Sequence, residues 1–231
     1  MMRPVVALKY NHQDSVSVQF AEYIAHGLGH ELRVLTLDLV THEDKVCLTD
    51  VSTVLEEMDA SLVVVQLSGQ VSVQQFLNAF KTLRIPYLFV HPTDQPHFEK
   101  VALPVTFLIE DKEKGPFAAA FGRFFGSKLL IFKPKDYGTK AMQNIEAMQT
   151  LFDSFDLNYE VIQARKNSYD VEREVALGFL TNSIDLVIIS ASREYGLDDI
   201  IFGSKERKII THASMPVLVI NPRGDLYTLC D

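Results

Sequence analysis

The phrases RIPYLFVHP (Arg84 to Pro92) and SMPVLVINP (Ser214 to Pro222) share one pattern: a proline, four apolar residues, one polar residue and a second proline. Each follows an amphipathic stretch, VQQFLNAFKTL or KERKIITHA, and before that a strand-like run, SLVVVQLS (Ser61 to Ser68) or DLVIISAS (Asp185 to Ser192). A recurrence on this scale constrains the fold more than any single motif, because whatever one half builds the other must resemble. The chain reads as an internal duplication.

The second copy is the fuller one. It runs VALPVTF, GPFAAAFGRFF, KLLIF, GTKAMQNIEAMQTLFDSF, NYEVIQA, DVEREVALGFL, DLVIIS and PVLVI, alternating strand-like with helix-like segments. Near-continuous apolar strands interleaved with amphipathic helices predict a parallel sheet covered on both faces. Phe117, Phe121, Phe124 and Phe125 fall at helical spacing and are expected in the core. The first copy is shorter: THEDKVCLTD stands where the second has a long helix and another strand, and only SGQVS separates SLVVVQLS from its following helix.

Composition limits what such a chain can do. With 231 residues and 47% hydrophobic content it buries a core, and 22 basic against 30 acidic residues give a net charge of −8. That balance offers no uniform attraction to nucleic acid or to an anionic membrane, so neither is expected as a partner. Cys47 and Cys230 have neither metal nor redox spacing, no apolar run approaches a membrane span, and the start of the chain lacks a signal-peptide pattern, so a cytoplasmic location is expected.

The element order, with the ending GSKERKIITHASMPVLVIN, resembles the universal stress protein family in tandem arrangement, over nearly the whole chain and best from about Phe98 to Pro222. The resemblance implies an α/β fold of two similar domains, each a mostly parallel five-stranded sheet with helices on both faces, the first one shorter, packed as an internal pseudo-dimer. The expected divisions are 1–92 for a truncated domain without a phosphate loop, 98–223 for the fuller domain with a modified loop, and 224–231 for a tail. In that family the last strands commonly mediate pairing, which implies an interface at Pro86, Leu88 and Val90 and at Pro216, Leu218 and Ile220. Pairing would also cover an apolar edge strand that is otherwise an aggregation hazard.

Nucleotide-binding members of the family carry Gly-x-x-Gly, nine residues, then Gly-Ser or Gly-Thr, with an aspartate at the end of the first strand. Here Gly203 and Ser204 stand at the closing pair, while Ser190 and Arg193 occupy the two earlier glycine positions. The aspartate aligns with Thr106 in the second half and Lys9 in the first. Glycines let backbone N–H groups approach phosphate oxygens closely, which serine and arginine do not allow, and Glu194, Asp198 and Asp199 would repel the anion. Against this, the Arg193 guanidinium grips phosphate in two-pronged fashion, Lys205 is a second cation, and Ser190 and Ser192 offer hydroxyls. The competing structural reading has Ser204 capping a helix, Gly203 permitting the turn into it, and Arg193 pairing with Asp198 or Asp199.

Other chemistry finds less support. His26 and His30 have chelating spacing, but Gly27 and Gly29 end the helix there, so no metal site is expected. His91 and His97 flank a proline-containing linker and are expected to be solvated, and the run Glu110, Asp111, Lys112, Glu113, Lys114 is expected to form a solvated turn. There is no nucleophile elbow or Gly-Lys-Ser/Thr phosphate loop, so the chain is not expected to be an enzyme. The expectation is a regulatory protein acting in stress response through protein interaction, without the usual ATP binding. Its partners, including a further homodimer, are left open. The alternative is a binder of ATP, AMP with magnesium, or another small anion through Thr106, Ser190, Ser192, Arg193, Gly203, Ser204 and Lys205.

Overall fold

The computed structural model describes residues 3–10, 15–38, 46–136, 139–178, 184–191 and 204–222. By its contacts the chain divides into two units, 1–96 with 192–211, and 97–191 with 212–231. The helix Ser204–His212 (α7) thus groups with the first unit, although its sequence follows the strand Leu186–Ser190.

In the first unit five parallel strands lie in the order β3-β2-β1-β4-β5: β1 Pro4–Lys9, β2 Glu31–Asp38, β3 Val46–Cys47, β4 Leu62–Gln66 and β5 Tyr87–Val90. Val5 of β1 lies opposite Leu32 on one side and Leu62 on the other. Every residue of β4 and β5 is buried, as their uninterrupted apolar runs require of strands covered on both faces. Helix α1 (Ser15–Leu28) presents Phe20, Ala21 and Ile24 to the core. It stops at Gly29, whose φ of 66° suits glycine, and His30 N–H closes the end on the Ala25 carbonyl at 2.8 Å. Helix α2 spans Val51–Glu57, and α3 (Val73–Ala79) starts on a capping box in which Ser72 and Gln75 satisfy each other's backbone N–H. The rings of Phe76, Phe80, Tyr87 and Phe89 pack edge to face or tilted, with Phe80 and Tyr87 centroids 5.1 Å apart. Burial, reinforced by the nearby Glu206 carboxylate, holds the Tyr87 phenol well above its ordinary range and therefore neutral.

The second unit repeats that plan, with the order β8-β7-β6-β9-β10: β6 Lys100–Pro104, β7 Lys128–Lys133, β8 Tyr159–Gln163, β9 Leu186–Ser190 and β10 Val217–Ile220. In sequence terms both units read third, second, first, fourth, fifth. Helices α4 (Lys114–Phe125), α5 (Thr139–Ser154) and α6 (Val171–Leu177) complete it. Ile145, Met148 and Phe152 of α5 point into the core. Gly126, at φ 68°, ends α4 in a left-handed turn before β7. Phe121 is core and its ring meets Phe98 at 4.9 Å, but Phe124 is 49% exposed, against the expectation for the whole stripe. The four rings share one stripe of about 100°, but the buried face of α4 is centred on Gly115, Ala118 and Ala119, which leaves Phe124 at its edge.

Pro86, Leu88, Val90, Pro216, Leu218 and Ile220, the residues of the expected interface, are all buried. Among the described residues no helix is long and apolar enough to cross a membrane, and no cluster of histidine, cysteine and acidic residues could hold a metal.

Candidate functional site

In a sheet of this order, chain crossovers leave the first and fourth strands toward opposite faces, so a crevice is expected beyond their carboxyl ends. In the second unit that place lies beyond β6 and β9, and the chain's own side chains fill it. After Pro104 the backbone passes Val105 and Thr106 and enters a 3₁₀ turn, Ile109–Glu113, that leads into α4. This turn swings Asp111 back over the strand ends. One carboxylate oxygen, Oδ2, accepts the Thr106 N–H at 2.5 Å, and the other, Oδ1, accepts the Ser190 hydroxyl at 2.8 Å. The Lys114 ammonium lies 2.8 Å from Oδ1 and donates to the Pro104 carbonyl at 2.7 Å and to Glu172 Oε1 at 2.9 Å.

Glu172 arrives on the first turn of α6, and its Oε1 also accepts the Ser190 N–H at 3.2 Å. Asn144 of α5 closes the other side, donating to the Thr106 and Leu108 carbonyls at 3.2 and 2.7 Å. Asp111 and Lys114 are 0% exposed and Glu172 is 1% exposed. The run 110–114 is therefore not the solvated turn that its charges suggested. Asp111 and Lys114 stand three apart, so the turn puts both on one side, and that side faces inward.

The chemistry of this cluster is that of an occupied anion site. A backbone N–H, a hydroxyl and an ammonium converge on one carboxylate, the donor set that would otherwise hold a phosphate oxygen. A further anion there would approach the Asp111 and Glu172 side chains, which already share the Lys114 ammonium.

Of the sequence-predicted residues, Thr106 and Ser190 are brought together through Asp111, each 4% exposed. Lys205 lies in the first unit, with its ammonium 3.4 Å from the buried Glu206 carboxylate. Ser192, Arg193 and Gly203 fall outside the described residues, as does the Ser204 side chain; the Ser204 backbone begins α7. Asp111, Lys114, Asn144 and Glu172 were missed. Their one signal was Asp-x-x-Lys beginning seven residues beyond a buried strand, together with Glu172 in a segment whose neighbours, Val171 and Val175, are core residues.

The equivalent place in the first unit is closed more simply. Gln66, at the end of β4 and 6% exposed, turns its Oε1 to the first turn of α1 and accepts the Val16 N–H at 2.9 Å, while the Ser17 hydroxyl donates to the Leu8 carbonyl at 2.9 Å. Gln66→Ala leaves that buried N–H without its acceptor, and a loss of about 1–3 kcal/mol in unfolding free energy is expected from urea titration. A change within a few tenths would mean water reaches the helix end.

Two histidine expectations meet the structure differently. His97 is half exposed, 3.7 Å from Glu99, whereas the His91 Nε2 atom is buried with no hydrogen-bond partner among the described residues and its backbone N–H donates to Asp94 at 2.7 Å. The turn after β5 folds His91 back, so it is not a solvated linker residue.

No protein-family model and no curated protein matches the sequence. Solved structures do match the fold. A universal stress protein from Archaeoglobus fulgidus DSM 4304 superposes with a TM-score of 0.63 at 14% identity, over 94% of this chain and 98% of that one. A protein of unknown function from Pseudomonas aeruginosa PAO1 gives 0.63 at 11%, over 96% and 93%. A Pseudomonas aeruginosa UCBPP-PA14 protein named for the same family gives 0.59 at 13%, over 96% and 94%. The chain therefore has the α/β fold of universal stress proteins along nearly its full length.

Proposed function

We infer that the protein is a regulatory member of a stress response that acts through its surfaces, with the crevice of its second unit sealed against nucleotide. The observation that supports this is the Asp111 carboxylate, held by Thr106 N–H, the Ser190 hydroxyl and Lys114 where a ligand's anion would sit. A triphosphate would have to displace that carboxylate and then face Glu172. No group in the cluster is both exposed and poised as a nucleophile or acid, which favours a non-enzymatic role.

The surface offers material for contact with a partner protein or a second copy of the chain. Phe124 and Phe155 are 49% and 44% exposed, and the Arg123 guanidinium lies over both rings, 5.4 and 4.6 Å from their centroids. Aromatic and arginine side chains dominate the energetics of protein interfaces.

Titration calorimetry with ATP, ADP and AMP, with and without magnesium, tests this reading. No saturable binding is expected up to about 1 mM. Saturable ATP binding that is lost on Ser190→Ala would overturn it in favour of a working nucleotide pocket.

A further inference from the structure

The sheet order of the second unit ends on β8, and that edge is open. Leu129 N–H donates to the Asn158 carbonyl at 2.9 Å and Ala164 N–H to the Lys133 carbonyl at 2.8 Å, so β7 grips β8 at both ends. Successive residues of a strand turn their N–H and C=O to opposite sides, and these two bonds fix the phase. Asn158, Glu160, Ile162 and Ala164 face β7, while Tyr159, Val161 and Gln163 face away from it. Among the described residues no strand pairs with that outer side.

Edge strands are ordinarily guarded by a proline, a lysine, a bulge or brevity. The end strand of the first unit, β3, has only two residues. By contrast β8 has five, YEVIQ, in unbroken register with β7 and with neither proline nor lysine, and Val161 at its middle is 38% exposed. Its one charge, Glu160, is met by the Lys128 ammonium of β7 at 2.7 Å. The Gln163 amide folds back onto the Lys133 and Pro134 carbonyls, at 3.0 Å each.

The residues flanking β8 show which partner fits. Asp156 stands three residues before the strand and Lys166 three after it, symmetrically about Val161, with Arg165 beside Lys166; all three are exposed. None has an ion pair among the described residues, and the Glu174 carboxylate is taken up by the Arg165 and Lys166 backbone N–H groups at 2.8 to 3.1 Å. A second β8 laid antiparallel about Val161 brings Asp156 of each chain toward Lys166 of the other, at both ends at once. A parallel neighbour in register would set like charges together.

We propose that this edge docks a second copy of the chain, β8 against β8, antiparallel about Val161. Tyr159 then lies opposite Gln163, and Val161 opposite Val161, in pairs that each exchange two backbone hydrogen bonds, about six in all. The two Val161 side chains, exposed in the single chain, cover each other on one face of the joined sheet. The surface is separate from the Asp111 cluster and does not depend on whether that crevice is sealed.

The test is sedimentation velocity of the whole chain from about 2 to about 200 µM, with amide hydrogen exchange measured at both concentrations. A reversible dimer is expected, with exchange at Tyr159, Val161 and Gln163 slowed at least about tenfold at the higher concentration and Glu160 and Ile162, already bonded to β7, unchanged. Val161→Lys sets like charges face to face and should weaken association at least about tenfold while the urea midpoint stays unchanged. Asp156→Lys and Lys166→Asp should each weaken it as well. An equimolar mixture of those two variants should associate more tightly than either alone, because one end of the mixed dimer keeps the original charge pair and the other has it reversed. A monomer at about 200 µM would overturn the proposal, as would a dimer that survives Val161→Lys, a mixture no tighter than its components, or concentration-dependent protection centred away from β8.

Discussion

Lys114→Met is expected to cost about 3–5 kcal/mol of unfolding free energy, read as a lowered urea midpoint. Methionine roughly fills the space of the lysine stem, so packing is nearly kept and the loss isolates the charge. The ammonium is 0% exposed and satisfies the Pro104 carbonyl, Glu172 and Asp111 at 2.7, 2.9 and 2.8 Å. Without it Asp111 and Glu172 lose the ammonium that lies between them in a buried place. The triple change Asp111→Asn, Lys114→Met, Glu172→Gln should recover much of that loss, because a buried charge cluster replaced as a whole is far less costly than one broken in part. A loss below about 1 kcal/mol for Lys114→Met would mean that water enters the cluster, and the crevice would then be open rather than filled.

Phe152→Ala carries the second large effect, also about 3–5 kcal/mol. The ring is fully buried on α5 and packs against Tyr159 of β8 with centroids 5.8 Å apart. Its removal leaves a cavity under the helix that carries Asn144 into the crevice. Phe124→Ala is the matched control: its ring is half exposed and lies under the Arg123 guanidinium, so the change should stay under about 1 kcal/mol. Equal losses for the two would contradict the assignment of inward and outward faces.

The fold was legible because its signals are local and repeated. The apolar runs of β4, β5, β9 and β10 admit little other than buried parallel strands, Ser72 and Gln75 spell a helix start, and the two proline-bounded phrases mark the equivalent last strands. The site was only half legible. Thr106 and Ser190 came from the family resemblance, which aligns them with the first-strand aspartate and the first glycine of the phosphate motif. Asp111 and Lys114 were hidden by their company: flanked by Glu110, Lys112 and Glu113, they look like part of a solvated charge run. What buries them is a 3₁₀ turn and a glutamate 58 residues further along, and no periodicity in the sequence reports a partner at that separation. The stripe of phenylalanines misled for the opposite reason, since spacing places side chains around a helix but does not say where the buried face is centred.

The central claim is that a carboxylate of the chain itself occupies the anion position beyond β6 and β9. A crystal structure from crystals grown with MgATP tests it most directly. The account predicts Asp111 within hydrogen-bond distance of the Thr106 N–H, the Ser190 hydroxyl and Lys114, with no nucleotide between the strand ends. Phosphate density on the Thr106 N–H and Ser190 hydroxyl, with Asp111 turned out to solvent, would contradict it.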